Sequence, residues 1–232
     1  MLFRQLIDAE TSTYTYILAD EEEQKSIIID PVRDHTGAYL RLLDELNLQL
    51  IACLDTHTHA DHITAAAKLA EATSCDIVQG MKSPADRVSK RISDGDFIHF
   101  GGYQIKCLYT PGHTDDSYCF FIENGNDRML FSGDTLLIRS TGRTDFQSGS
   151  ATAQYHSLFD KLLQLPEGTK VYPGHDYIGW TVSTIGEEKR YNPRLQVANA
   201  EQYCQLMSAL KLSRPKMMDI AVPANLKCGY LD

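Results

Sequence analysis

Apolar residues alternate or run together over residues 13–18, 26–29, 48–54, 77–79, 104–109, 118–122, 128–131 and 169–172, each stretch bounded by turn residues. The eight segments predict strands. Between them, apolar residues recur at helical spacing. The sets are Tyr39, Leu43 and Leu46; Ile63, Ala66, Ala67 and Ala70; Tyr155, Leu158, Phe159 and Leu162; and Tyr203, Leu206, Met207 and Leu210. These predict four amphipathic helices. Strand pairs mixed with strand–helix alternation predict an α/β (α+β) protein whose helices cover its sheets. No repeat, linker or low-complexity tract interrupts the pattern, so residues 1–232 are expected to form one domain. Pro193, Pro215 and Pro223 punctuate a short helix and a tail, and 192–232 is expected to be a short C-terminal extension packed on that domain.

Composition narrows the partners. Hydrophobic residues make up 43% of the chain and charged residues 23%, which is ordinary globular usage. The 22 Lys and Arg against 31 Asp and Glu leave a net charge of −9. That balance speaks against a nucleic-acid binder, which needs a basic face to neutralise phosphates. No apolar run approaches the roughly 18 residues of a membrane-spanning helix. Acidic residues also interrupt the N-terminal stretch before a signal-peptide core could form. A cytoplasmic protein with no membrane partner is the expectation. The six cysteines are scattered without a CxxC pair, so free buried thiols are expected.

The densest chemistry lies at Thr56-His57-Thr58-His59-Ala60-Asp61-His62, between the predicted strand 48–54 and the helix after it. In extended backbone, residues two apart point the same way. The spacing therefore predicts that His57, His59 and Asp61 face one point while His62 opens the helix beside them. Three further donors each follow an apolar strand and a glycine: His113 after Gly112, Asp134 after Gly133, and His175 after Gly174. Each alone would be an ordinary loop residue. Together with the first cluster they point to a metal, since imidazole and carboxylate are the common ligands of catalytic metals.

H-x-H-x-D-H followed by Gly-His, Gly-Asp and Gly-His resembles the metallo-β-lactamase superfamily in order and spacing. The resemblance implies an αββα sandwich of two mixed sheets flanked by helices. It also implies one metal position drawing on His57, His59, His113 and Asp134, and another drawing on Asp61, His62, Asp134 and His175. That inventory alone favours two zinc ions and a bridging hydroxide that attacks an ester or thioester. Other segments resemble a particular family, the persulfide dioxygenases (ETHE1-like sulfur dioxygenases). They are Gly142-Arg143-Thr144-Asp145-Phe146-Gln147, His175-Asp176-Tyr177, the stretch 182–195 and the tail 222–229. Thr141 stands where that family usually has Cys, a change expected to alter a pocket wall or a redox-sensitive thiol and not the metal. Glyoxalase II is less similar, and 192–232 is short for its separate substrate domain.

The family resemblance implies a non-haem, iron-dependent enzyme that oxidises glutathione persulfide with O2 to sulfite and glutathione. One Fe(II) per chain would be held by His57, His113 and Asp134. His59, Asp61, His62 and His175 would then orient the ligands and bound water, or else hold a second metal. The alternative is a glyoxalase II-like dinuclear zinc hydrolase of S-acylglutathione. Arg143 is the candidate for placing the anionic glutathione moiety, because a guanidinium clamps carboxylates and an acidic protein needs local positive charge. A salt bridge to Asp145 is the other role open to it. Tyr177 is a second substrate candidate, its alternative being a core tyrosine with a satisfied hydroxyl. Lys189 and Arg190 read as a solvated helix face, and Cys228 as a structural thiol. A homodimer is compatible with all of this.

Overall fold

The structure, a computed structural model, describes residues 1–231. Strands β1 (Leu2–Asp8), β2 (Thr13–Asp20) and β3 (Lys25–Ile29) form an antiparallel meander. Helix α1 (Thr36–Glu45) then leads into β4 (Gln49–Leu54), parallel to β3, and α2 (Ala66–Thr73) into β5 (Asp76–Gly80), parallel to β4. The short β6 (Lys90–Ile92) completes a six-stranded sheet in the order β1-β2-β3-β4-β5-β6. All eight residues of β2 are buried, including Thr13 and Thr15. A strand paired on both edges in the middle of a covered sheet reads as a continuous run for that reason.

The second sheet contains β7 (Phe97–Phe100), β8 (Tyr103–Tyr109), β9 (Tyr118–Asn124), β10 (Asp127–Gly133), β11 (Lys170–Pro173) and β12 (Ser183–Thr184), in the order β12-β11-β10-β9-β8-β7. Within it, β10 and β11 run parallel, while β8, β9 and β10 are antiparallel neighbours. The crossover between β10 and β11 is α3 (Ala151–His156), continued by a π turn at Ser157–Lys161 and a 3₁₀ turn at Leu162–Gln164. Helices α4 (Ile185–Tyr191), α5 (Ala200–Ser208) and α6 (Met218–Asn225) follow. Side-chain oxygens of Ser150, Thr184 and Asn199 cap α3, α4 and α5, each accepting the third backbone N–H of its helix.

The chain forms two compact units. One contains Met1–Ile92, Phe97–Ile105 and the tail from Arg214; the other contains Ser93–Asp96 and Lys106–Ser213. The predicted extension is thus shared, 192–213 going with the second unit and the rest with the first. In the first core, Ile17, Ile28, Leu50, Cys53 and Ile77 pack on Tyr39 and Leu43 of α1, Ala66 and Leu69 of α2, and Cys228 of the tail. In the second, Cys119, Leu130 and Val171 pack on Leu158, Leu162, Ile185, Tyr203 and Met207. Burying each large aliphatic side chain contributes about 1.5–3 kcal/mol. The six cysteines are free, and Cys204 alone is not buried. Among the described residues no helix is long and apolar enough to cross a membrane.

Two expectations need correction. The helix after the histidine cluster begins at Ala66, not His62, because 55–65 is a bent loop whose backbone is held by other partners. Pro223 lies inside α6 and does not end it. The bond a proline forfeits in a helix is to the carbonyl four residues back, here that of exposed Asp219 in the first turn, where water can replace it.

Candidate metal centre

The first unit supplies four donors from one loop. His57, His59 and His62 are buried with Thr56 and Thr58, and Asp61 is half-buried. The loop is bent, which corrects the extended geometry expected from the spacing. Bending brings the rings of His57 and His59 to 4.2 Å and those of His59 and His62 to 4.4 Å between centroids. A ligand atom from each of His59, Asp61 and His62 lies within 4.8 Å of the others.

Asp30, at the end of β3, organises this loop. One carboxylate oxygen accepts the Thr56 backbone N–H (2.7 Å) and faces His59 Nε2 (3.1 Å), and the other accepts the Thr56 hydroxyl (2.9 Å). Asp61 accepts a hydrogen bond from His62 Nδ1 at 2.7 Å and one from Thr13 Oγ1 at 3.1 Å. With each carboxylate taking one N–H, the neutral form of each ring keeps its lone pair on the opposite nitrogen, Nδ1 of His59 and Nε2 of His62. Both nitrogens are buried without a hydrogen-bond partner.

Orphaned buried nitrogens are rare, and here they are what a metal or its bound water requires. Burial opposes charge on His59, but the nearby Asp30 carboxylate and its hydrogen bond outweigh that and push the pKa up to about 9. A proton on Nδ1 would find no acceptor, whereas a bound cation would supply the positive charge this acidic pocket favours. Behind the loop, burial raises the Asp55 carboxyl, which accepts hydrogen bonds from Thr64 Oγ1 and Gln79 Nε2.

The second unit supplies three donors from strand ends. Asp134 follows β10 and His175 follows β11. Because these strands are parallel neighbours, the two side chains emerge side by side, His175 Nδ1 donating to Asp134 Oδ1 at 2.7 Å. His113 follows β8, and its Nδ1 donates to the backbone carbonyl of Arg143 at 2.7 Å. That bond fixes the tautomer and turns Nε2, the ring's lone-pair nitrogen, toward Asp134, 3.6 Å from its Oδ2.

Gly142 makes this possible. Its N–H donates to the Asp134 carbonyl at 2.6 Å, and a Cβ there would lie 2.3 Å from that oxygen and 2.8 Å from His113 Nδ1. The motif at 142–147 therefore holds His113 and Asp134 through its backbone. A backbone atom has no residue signature, so sequence reasoning about side chains missed this; only the glycine hinted at it.

The two substrate candidates sit differently. The Arg143 guanidinium forms a two-pronged pair with Asp145 at 2.7 and 2.8 Å, donates to the Ser213 carbonyl at 2.6 Å, and stacks on Phe146. Its hydrogen bond holds the Asp145 carboxyl below the usual range. Arg143 also lines a cavity of about 320 Å³ with Asp145, Ser150, Cys204, Met207 and Leu212. Tyr177 is 72% exposed, so it is no core tyrosine, and its ring stacks on His175. Thr141 is buried, its hydroxyl 3.0 Å from that of Tyr203, which in turn donates to Gln154 Oε1.

Two mixed sheets flanked by helices, with imidazole and carboxylate donors at their strand ends, define a metal-dependent protein of the metallo-β-lactamase fold. The pattern of the Metallo-beta-lactamase superfamily matches residues 9–175. Persulfide dioxygenase ETHE1 of Bos taurus is 41% identical over 234 residues, spanning 99% of this chain and 89% of its own length. The crystal structure of ETHE1 from Myxococcus xanthus superposes with a TM-score of 0.95 at 46% identity, covering 99% of this chain and 100% of that one. TTHA1623, solved in a di-iron-bound form, gives a TM-score of 0.68 at 28% identity, with coverages of 82% and 98%. Within the metallo-β-lactamase superfamily, this chain belongs to the persulfide dioxygenase family.

Proposed function

We propose that this protein oxidises glutathione persulfide with O2, in the cytoplasm, on one Fe(II) per chain held by His57, His113 and Asp134. The observation that carries the reading is end-to-end similarity to persulfide dioxygenases, including the 142–147 segment whose backbone grips His113 and Asp134. The balance is persulfide, O2 and water giving thiol, sulfite and two protons, with the outer sulfur losing four electrons to O2. A redox-active metal in a two-histidine, one-carboxylate set supplies open positions and electrons, which a zinc ion cannot.

The protein's own groups do the rest. The Arg143 carbonyl keeps the proton of His113 on Nδ1, so Nε2 is the nitrogen whose lone pair would meet the metal. His175 holds one oxygen of Asp134 and turns the other toward His113. Burial of 56–59 and His62 keeps bulk water from that side of the donor set. His59 and His62 would orient bound water through their orphaned nitrogens, while the Asp61 carboxylate fixes the ring of His62. The orphaned Nε2 of His62 also favours a second reading, in which Asp61, His62, Asp134 and His175 hold another metal, as in the glyoxalase II-like alternative.

Metal analysis with oxygen uptake separates the two. Protein purified without added metal or chelator is expected to contain about one iron per chain and to consume O2 with glutathione persulfide. Two zinc ions, no oxygen uptake and thiol release from S-lactoylglutathione would overturn the proposal.

Arg143 places the anionic substrate in this scheme, and Tyr177 offers it a hydroxyl beside His175. Replacing Arg143 with Ala deletes the guanidinium but keeps the backbone carbonyl on His113. Arg143→Ala should therefore retain full iron and raise KM by roughly 10-fold, about what one charge-assisted hydrogen bond is worth. Steady-state oxygen uptake alongside iron determination checks this, and loss of iron would contradict the division of labour between its two ends.

A further inference from the structure

We infer that Asn225, in the C-terminal helix α6, is a positioning residue for the histidine loop. The inference rests on the metal reading of that loop. Asn225 is 2% exposed, and each polar atom of its side chain is used. Nδ2 donates to the carbonyls of His59 at 2.9 Å and His62 at 2.8 Å, and Oδ1 accepts the Thr64 backbone N–H at 2.9 Å.

The segment between β4 and α2 belongs to no helix or strand, yet it is buried, and buried backbone groups must find partners. One amide from more than 160 residues along the chain satisfies three of them. It ties down both sides of Asp61 and the backbone from which His59 and His62 project. His57 lies two residues before the first tie. Neighbouring bonds dock the same tail segment on the first unit: Asp86 N–H to the Leu226 carbonyl (3.0 Å), Ala67 N–H to the Cys228 carbonyl (2.9 Å), and the Arg33 guanidinium to the Gly229 carbonyl. Those contacts hold the tail; Asn225 reaches through it to the histidines.

The two roles can be separated. Asn225→Asp keeps the shape and the acceptor for Thr64 but turns carboxylate oxygen toward two carbonyls. Asn225→Ala removes all three bonds. Arg33→Ala removes a tail contact that does not touch the histidine carbonyls. The iron affinity of each purified protein would be measured by competition with a chelator, at a temperature where melting curves show the variants folded.

Both Asn225 variants are expected to bind iron roughly 10-fold more weakly, the low end for loss of outer support, because the ties act on the ligand His57 only through the backbone two residues away. Arg33→Ala should lower the melting temperature and leave iron affinity unchanged. If Asn225→Ala does not fold, Asn225→Asp decides. Wild-type affinity in a folded Asn225 variant, or equal weakening by Arg33→Ala, would overturn the inference. A wild-type protein that binds no metal would instead overturn the metal reading beneath it.

Discussion

Asp134→Ala is expected to lose iron and oxygen uptake together. Asp134 is the one carboxylate in the proposed ligand set, so its removal takes away an anionic donor. It also strips His175 Nδ1 of its acceptor at 2.7 Å. The loss of metal affinity should exceed the roughly 10–100-fold typical of an outer partner. Folding should survive, because Asp134 is 12% exposed and follows β10 without belonging to its ladder. Metal content, oxygen uptake and a melting curve on one preparation test this. Retained iron with lost activity would move Asp134 from ligand to some other role.

Gly142→Ala should be nearly as damaging without touching any donor atom. The added Cβ would meet the Asp134 carbonyl at 2.3 Å and His113 Nδ1 at 2.8 Å, and neither is the far end of a flexible side chain. The backbone must move, and the hydrogen bonds from Gly142 to Asp134 and from His113 to Arg143 move with it. Overpacking of this kind costs about 1–3 kcal/mol, and displacement of His113 should weaken iron binding by at least roughly 10-fold. Melting temperature and chelator competition would show both. A variant indistinguishable from wild type would mean that the turn at 142 yields freely.

The eight predicted strands all appear, with ends within about two residues, because their apolar runs reflect burial in the two sheets. The strands without a signal are β1, β6, β7 and β12. β1 carries apolar residues on both faces of an edge, Leu2 and Leu6 against Phe3 and Ile7, so alternation is absent. β6 and β12 are too short to show a period. The donors were legible because histidines and an aspartate recurred where strands end. Their support was not. Asp30 is a single acid after a strand, the grip on His113 comes from a carbonyl, and Asn225 looks like any polar residue in a tail. Side-chain identity reports chemistry, while the contacts that aim it come from chain distant in sequence.

The parallel pairing of β10 with β11 makes the centre unevenly tolerant of mutation. Neighbouring strands lie about 4.8 Å apart whatever side chains they carry, so the partnership of Asp134 and His175 should withstand exchanges along both strands that preserve β structure. His113 has no such frame. It hangs on a loop that passes so close to α3 that a Cβ on Gly112 would lie 2.3 Å from Gln154 Cα. Substitutions can therefore accumulate within the ladder, while the glycines that flank the donors admit no added atom: Gly112 and Gly142 beside His113, and Gly174, where a Cβ would lie 2.7 Å from Asp134 Oδ1.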